Sequence, residues 1–273
     1  MLIHPRSRHR PAWPFVIDRS HPLAQGLVCC PVMGDDGRMV DLVQGQLGAT
    51  TATRLTGPHG ASGIDWTMAN ALTAALAFTS GAWSVGAFFS VRVVPANGEY
   101  PAVFGRNAYT SESINSGWGL SLRPSDGAPN AGKFNFYIFA NNSFGPPGYA
   151  VGSTTSWAAG EWAFLNQSDG SGGTTRRFYL NGRLESSVTT GSRSPGSTSA
   201  ALVNTSATTA KIPLYIGYGW SRTLSAAEAL WLSAEPWAMV ETEFRHRFYS
   251  IPVAPSAYDP VQPWSQRAPI LAQ

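Results

Sequence analysis

Sugar hydrolysis on a sheet needs two carboxylates about 5–10 Å apart, one as acid and one as nucleophile or base. A single strand supplies them compactly as a Glu-x-Asp-x-x-Glu run, and none occurs in these 273 residues. Glu241 and Glu243 alternate around Thr242, but they fall beside a Pro-rich tail, where a solvated or interfacial face is the expected reading. Asp35, Asp36 and Asp41 invite a calcium reading, yet calcium takes six to eight oxygens from converging loops. Gly34-Asp35-Asp36-Gly37 reads more simply as turn chemistry. The five histidines (4, 9, 21, 59 and 246) are scattered. Gly170-Ser171-Gly172-Gly173 lacks the Lys-Ser/Thr ending of a phosphate loop and runs into a strand. Cys29 and Cys30 are adjacent in an apolar run, so strand alternation sends them to opposite faces and rules out an ordinary bridge. Buried free thiols are the expectation. These residue types predict no catalytic centre, no cofactor and no metal.

Aromatic residues offer a second chemistry, because sugar faces stack on exposed rings. Ten Trp and nine Tyr are present, and most stand at strand positions where burial is the ordinary outcome. The loop-proximal Tyr109, Trp118, Tyr149 and Trp220 are the candidates for contact with a glycan. Basic residues gather at the start (Arg6, Arg8, Arg10, Arg19) and at Arg245-His246-Arg247, while the net charge is only +3. No nucleic-acid motif accompanies them, so specific nucleic-acid binding is not expected. Arg6, Arg8, Arg10, Trp13, Trp237, Arg245, Arg247, Tyr249 and Trp264 are the candidate assembly contacts. Met1 to Arg6 lacks the apolar stretch of an export signal. No run approaches the roughly 18 apolar residues of a membrane span. No membrane partner is expected.

The elements that position these residues read as strands. Gly and Pro punctuate short apolar segments, as they do in turn-rich β proteins. From Trp83 to Val94, one face carries Trp83, Val85, Ala87, Phe89, Val91 and Val93. The other carries Ser84, Gly86, Phe88, Ser90 and Arg92, the pattern of a half-buried strand with Phe88 as its bulky outlier. In 133–140, Phe134, Phe136 and Ile138 face one way and Asn135, Tyr137 and Phe139 the other. Further strands are expected at 26–33, 40–42, 46–53, 63–67, 72–79, 101–106, 117–123, 149–155, 161–167, 177–180, 183–188 and 212–217. Asn181-Gly182 between alternating runs marks a hairpin, since both residues tolerate positive φ. Residues 189–210, rich in Ser, Thr and Gly, read as a long loop.

One stretch changes period. Ser225 is followed at the capping-box spacing by Glu228, with Leu224 placed to staple onto the first full turn. A short helix is expected from 226 to about 234, ended by Pro236. Phe244 to Val253 reads as a further extended segment, and repeated prolines after it predict an open, polyproline-like tail. The domain reading is an extended N-terminal arm over 1–25, a sandwich over 26–235 and a Pro-rich extension over 236–273.

Four elements carry a resemblance in order: Gly160-Glu161-Trp162, Phe178-Tyr179-Leu180-Asn181-Gly182, Leu214-Tyr215-Ile216-Gly217, and Ser221-Arg222-Thr223-Leu224-Ser225-Ala226-Ala227-Glu228. Together they resemble the laminin-G-like, concanavalin A-like jelly-roll modules of tailed bacteriophages. The residues after the helix, Glu235 to Met239 and Phe244 to Tyr249, look like the C-terminal ending of those phage proteins. The resemblance implies an all-β, antiparallel concanavalin A-like sandwich with one short helix near the C-terminus and extended terminal arms. It also implies a non-enzymatic virion protein, made in the host cytoplasm, that decorates a capsid or tail. Its partners would be coat or tail subunits and copies of itself as a homo-oligomer. The alternative is a carbohydrate-binding module for adsorption to the host surface.

Overall fold

The computed structural model describes residues 11, 14–33, 39–45, 47–48, 53–56, 62–65, 70–72, 81–94, 102–106, 117–122, 132–139, 150–170, 175–189, 201–203 and 212–242. Within them the chain forms two antiparallel sheets, a short ladder and one α-helix. The larger sheet runs in the order Arg183–Thr189, Thr175–Leu180, Gly160–Ser168, Trp83–Val91, Leu214–Trp220, Pro31–Met33, Met39–Asp41 and Leu47–Gly48. Leu27–Cys29 and Ser62–Asp65 also pair with Leu214–Trp220, and Thr53–Thr56 pairs with Ser62–Asp65. The smaller sheet runs Ala150–Ser156, Lys133–Phe139, Gly117–Leu122, Ala102–Arg106, Ala201–Val203 and Asn70–Leu72.

Period-two patterning builds the layer between the sheets. Trp83, Val85, Ala87, Phe89 and Val91 stand on one face of their strand and share a buried cluster with Leu120, Leu122, Phe134 and Phe136 of the smaller sheet. The aromatic rings mesh across the gap. Trp83 lies 6.1 Å from Phe136 between ring centroids, and Phe136 lies 5.7 Å from Phe164. Phe89 meets Phe134 edge-on at 6.0 Å.

The opposite face of the larger sheet is covered too, which corrects the half-buried reading of 83–94. All nine residues of Trp83–Val91 are buried. Phe88 is therefore no outlier; it packs 5.4 Å from Tyr215 in a second buried cluster. The serines on that face serve the covering layer rather than water. Ser84 Oγ donates to Arg222 O and accepts from Leu224 N. At Gly86 an added Cβ would stand 3.0 Å from the Phe164 carbonyl oxygen of the neighbouring strand, so the tight constraint there comes from the sheet, and Leu232 of the helix lies at ordinary contact distance.

The covering layer comes largely from segments expected to be arms. Phe15–Ile17 pairs with Val240–Thr242, with Phe15 opposite Thr242 and Ile17 opposite Val240. A 3₁₀ turn follows at Pro22–Ala24, and Phe15, Ile17, Leu23 and Ala24 are buried. The arm read over 1–25 therefore belongs to the body from about residue 14. Likewise Pro236 to Val240 are buried, so the sandwich does not end at 235. Apolar side chains in these segments outweigh their prolines.

The helix spans Ala226–Ala234 as expected. Ser225 accepts from Glu228 N while the Glu228 carboxylate accepts from Ser225 N, both halves of the capping box. Leu224 and Ala229 are buried in one cluster, the staple anticipated from the sequence. At the hairpin, Asn181 and Gly182 adopt φ of 49° and 78°. Two other expectations change. The run 26–33 breaks at Cys30, whose N–H turns to Asp41 Oδ1 and whose carbonyl accepts from Leu42 N. The 189–210 loop contains the strand Ala201–Val203. Residues 244–253 lie outside the described residues.

Candidate functional site

Asp41, one of the carboxylates that could carry chemistry, holds structure instead. Asp41 is fully buried, and its Oδ1 accepts from Cys30 N, Val43 N and Gln44 N at 3.2, 2.8 and 3.1 Å. That is a turn-capping arrangement, as Asx chemistry predicts. Asp35 and Asp36 lie outside the described residues. Among the described residues, no three or more His, Cys, Asp or Glu gather in a way that could hold a metal ion.

Glu185 ties the rims of the two sheets together. Its Oε2 accepts from the N–H groups of Thr154 and Thr155, both at 3.0 Å, and from both threonine hydroxyls. Burial pushes this carboxyl up, but the four hydrogen bonds outweigh it and hold it below its ordinary value. Glu228 behaves alike. Partial burial raises it, and Arg222 and Ser225 lower it further than burial lifts it. Arg222 grips Glu228 through two nitrogens at 3.1 and 2.6 Å, and also donates to Gln25 O and Pro22 O. One guanidinium thus fastens the N-terminal turn to the helix cap.

The adjacent cysteines are free and buried, with Cys29 in the inter-sheet cluster and Cys30 in the outer one. Burial pushes both thiols well up, and the Asp41 charge adds to it. Such thiols are poor nucleophiles, because only the thiolate reacts.

The sequence candidates are dispersed. Trp220 is fully buried, donates from Nε1 to Leu23 O at 2.7 Å and stacks on Tyr218 at 5.3 Å. It is a core residue, so its assignment as a glycan contact is corrected: Gly219 and Trp220 end a central strand that the N-terminal turn caps. Trp237 is also buried, with its ring 6.3 Å from Phe15, which removes it from the assembly contacts. Trp118 occupies a strand position rather than a loop, paired with Ile138 and Arg106. Tyr109, Tyr149, Arg6, Arg8, Arg10, Trp13, Arg245, Arg247, Tyr249 and Trp264 lie outside the described residues. Glu241 is half-buried in the terminal ladder opposite Val16, and Glu243 lies outside the described residues.

One polar group escaped the sequence reading. Arg176 is fully buried, with its guanidinium carbon 6.0 Å from the Trp83 ring centre and 5.7 Å from that of Phe136. It pairs across the sheet with Ser168, which pairs with Trp83, so all three line one end of the inter-sheet layer. The signal was present: Arg176 shares the parity of Phe178 and Leu180, an apolar face. Closed from solvent, it packs against rings rather than meeting a substrate.

These two sheets define the class: an all-β, antiparallel β-sandwich with one short helix. No protein-family model matches the chain, and no curated protein sequence matches it. Solved structures do. The binding domain of Paraclostridial Mosquitocidal Protein 1 is 13% identical, with a TM-score of 0.59 over 77% of this chain and 52% of that one. A structure of botulinum neurotoxin type C, whose cell entry depends on interaction with two ganglioside molecules, is 11% identical. Its TM-score is 0.55 over 77% of this chain and 51% of that one. Trypanosoma rangeli sialidase in complex with sialic acid is 14% identical, with a TM-score of 0.53 over 79% and 34%. The chain therefore spans about half the length of the toxin structures and a third of the sialidase. At these identities the likeness establishes the fold.

Proposed function

We propose that the chain is a non-catalytic, carbohydrate-binding sandwich used for adsorption to a host surface. The observation that carries its non-catalytic part is that, among the described residues, Asp41, Glu185 and Glu228 are committed to a turn, a rim and a cap, and both thiols are buried. Support of a second kind comes from the proteins that share the fold, among them toxin binding domains and a sialidase bound to sialic acid. A glycan array followed by calorimetry and a reducing-end assay tests it. The expected result is saturable binding without turnover. Cleavage of a bound glycan, or silence across the array at millimolar sugar, overturns it.

A second reading is a virion structural protein held by its terminal segments. It is favoured by the ladder of Phe15–Ile17 with Val240–Thr242, which delivers both ends of the body to one place. In this setting Arg6, Arg8, Arg10, Trp13, Arg245, Arg247, Tyr249 and Trp264 carry the contacts with coat or tail subunits. Deleting 1–13 or 243–273 should leave a folded body that fails to enter particles; normal incorporation of both truncations sets the reading aside.

A further inference from the structure

We infer that Thr154 and Thr155 form a carboxylate-binding subsite at the side of the sandwich, closed in the free protein by Glu185 and taken by the carboxylate of an acidic sugar. The naming of a sugar rests on the carbohydrate reading; the subsite itself rests on the local geometry.

Two bulges meet there. Ala150–Ser156 is an edge strand of the smaller sheet, and Arg183–Thr189 is an edge strand of the larger one. Lys133 pairs with Ser156 and Asn135 with Gly152, so residues 153 to 155 stand against Phe134 alone. Across the gap, Phe178 pairs with Ser186 and Tyr179 with Leu184, which leaves Glu185 as the extra residue of its strand. A bulge re-aims the groups it contains. Successive N–H groups of a regular strand point to opposite sides. Those of Thr154 and Thr155 instead converge on one oxygen, Glu185 Oε2, each at 3.0 Å. Ser153 braces the bulge from within, its Oγ accepting from Phe134 N and donating to Thr155 O. Consecutive N–H groups turned to one side make an anion-binding concavity.

The donors suit a carboxylate. Both threonine hydroxyls join the two N–H groups, so four donors face a single oxygen. Lys133 adds a cation close by, with Nζ donating to Thr154 O at 2.7 Å. Burial raises the Glu185 carboxyl, yet its bonds to Thr154 and Thr155 bring it below its ordinary value, so the concavity favours the charged form. Thr154 is exposed, and Thr155 and Glu185 are half-buried, so a solute reaches the concavity without opening the core. Trp157, two residues along the chain, is half-buried against the inter-sheet cluster and is the aromatic placed to meet a sugar face. A tethered side chain competes at an effective concentration of about a millimolar. Bare carboxylates therefore lose to Glu185, whereas a sugar with added contacts at Trp157 displaces it.

The test uses the full chain and its Glu185→Ala variant. Sodium acetate is the bare carboxylate, glucuronate the acidic sugar, glucose its neutral counterpart and sulfate the competing anion. Acetate should raise the Tm of Glu185→Ala by about 2 °C or more and leave the parent unmoved. Glucuronate should bind the variant roughly tenfold or more tighter than it binds the parent, and tighter than glucose does. Adding Trp157→Ala should weaken glucuronate and spare the acetate effect. A variant indifferent to acetate, or shifted equally by sulfate at matched ionic strength, overturns the inference. The parent supplies a reading that needs no substitution: excess glucuronate should move the Thr154 and Thr155 amide resonances, and amides that stay put overturn it as well. Acetate filling the variant while neither sugar binds would sink the carbohydrate reading and leave the carboxylate subsite. Sugar binding by a chain whose variant ignores acetate does the reverse.

Discussion

The two layers flanking the larger sheet are weighted toward different aromatics. Between the sheets stand Phe89, Phe104, Phe134, Phe136, Phe164 and Phe178, rings without a polar tip, with Trp83 beside them. Outside the larger sheet, beside Phe15 and Phe88, stand Tyr215, Tyr218, Trp220 and Trp237. Three of these outer rings use their polar tips, whereas Trp237 Nε1 is buried without a hydrogen-bond partner among the described residues. Tyr218 Oη donates to Pro236 O, Trp220 Nε1 donates to Leu23 O, and Tyr215 Oη meets Ser90 Oγ at 2.7 Å. The difference follows from what each layer must cover. Strands satisfy their own backbone groups, so phenylalanine suffices between them. The outer layer is made of turns and short segments whose carbonyls have no ladder, and a buried carbonyl needs a donor.

Four substitutions break or sharpen that contrast. Trp220→Ala removes both bulk and donor from the outer layer and should cost about 3–5 kcal/mol, read from chemical denaturation. Soluble protein with an unchanged midpoint would mean that the outer layer contributes little. Next, Tyr218→Phe keeps the ring and strands the Pro236 carbonyl, so a loss of about 1–3 kcal/mol is expected. The comparison for it is Phe136→Leu in the inner layer, where no hydrogen bond is at stake; this swap tests volume alone. Ser225→Ala removes the cap of the outer layer's helix, and should lower stability by about 1 kcal/mol.

The smallest effect concerns acid. Glu185 and Glu228 have carboxyls held below their ordinary value of 4.5 in the folded protein. Their contribution is therefore complete above that value and is lost as pH falls through the lowered folded-state values. Glu185→Gln should lower stability slightly at neutral pH, where the carboxylate contributes, and converge on the parent in acid, so the acid limb flattens. An acid limb identical to the parent's would show that the rim clamp adds nothing.

The inner layer was readable in the sequence because a two-residue period is a strong signal. Trp83 to Val91, Phe134 with Phe136, the Asn181-Gly182 hairpin and the Ser225–Glu228 cap all follow from local pattern. The outer layer was not readable for the same reason. Phe15–Ile17, Leu23 and Trp237 to Val240 come from opposite ends of the chain, and none has a period long enough to announce burial. Their absence from the reading made Ser84 and Ser90 look like solvent-facing residues and made Trp220 look available. Arg222 illustrates the limit: nothing local links it to Gln25, almost two hundred residues earlier, yet the two meet at 2.7 Å.

The three-rung ladder also fixes how the protein answers to mechanical load. Tension applied through residues 14 and 243 pulls at neighbouring ends of an antiparallel pair, so its hydrogen bonds are loaded one after another, in unzipping rather than in shear. The ladder should open at low force and act as a fuse, while the long central strands of the larger sheet stay intact until much later.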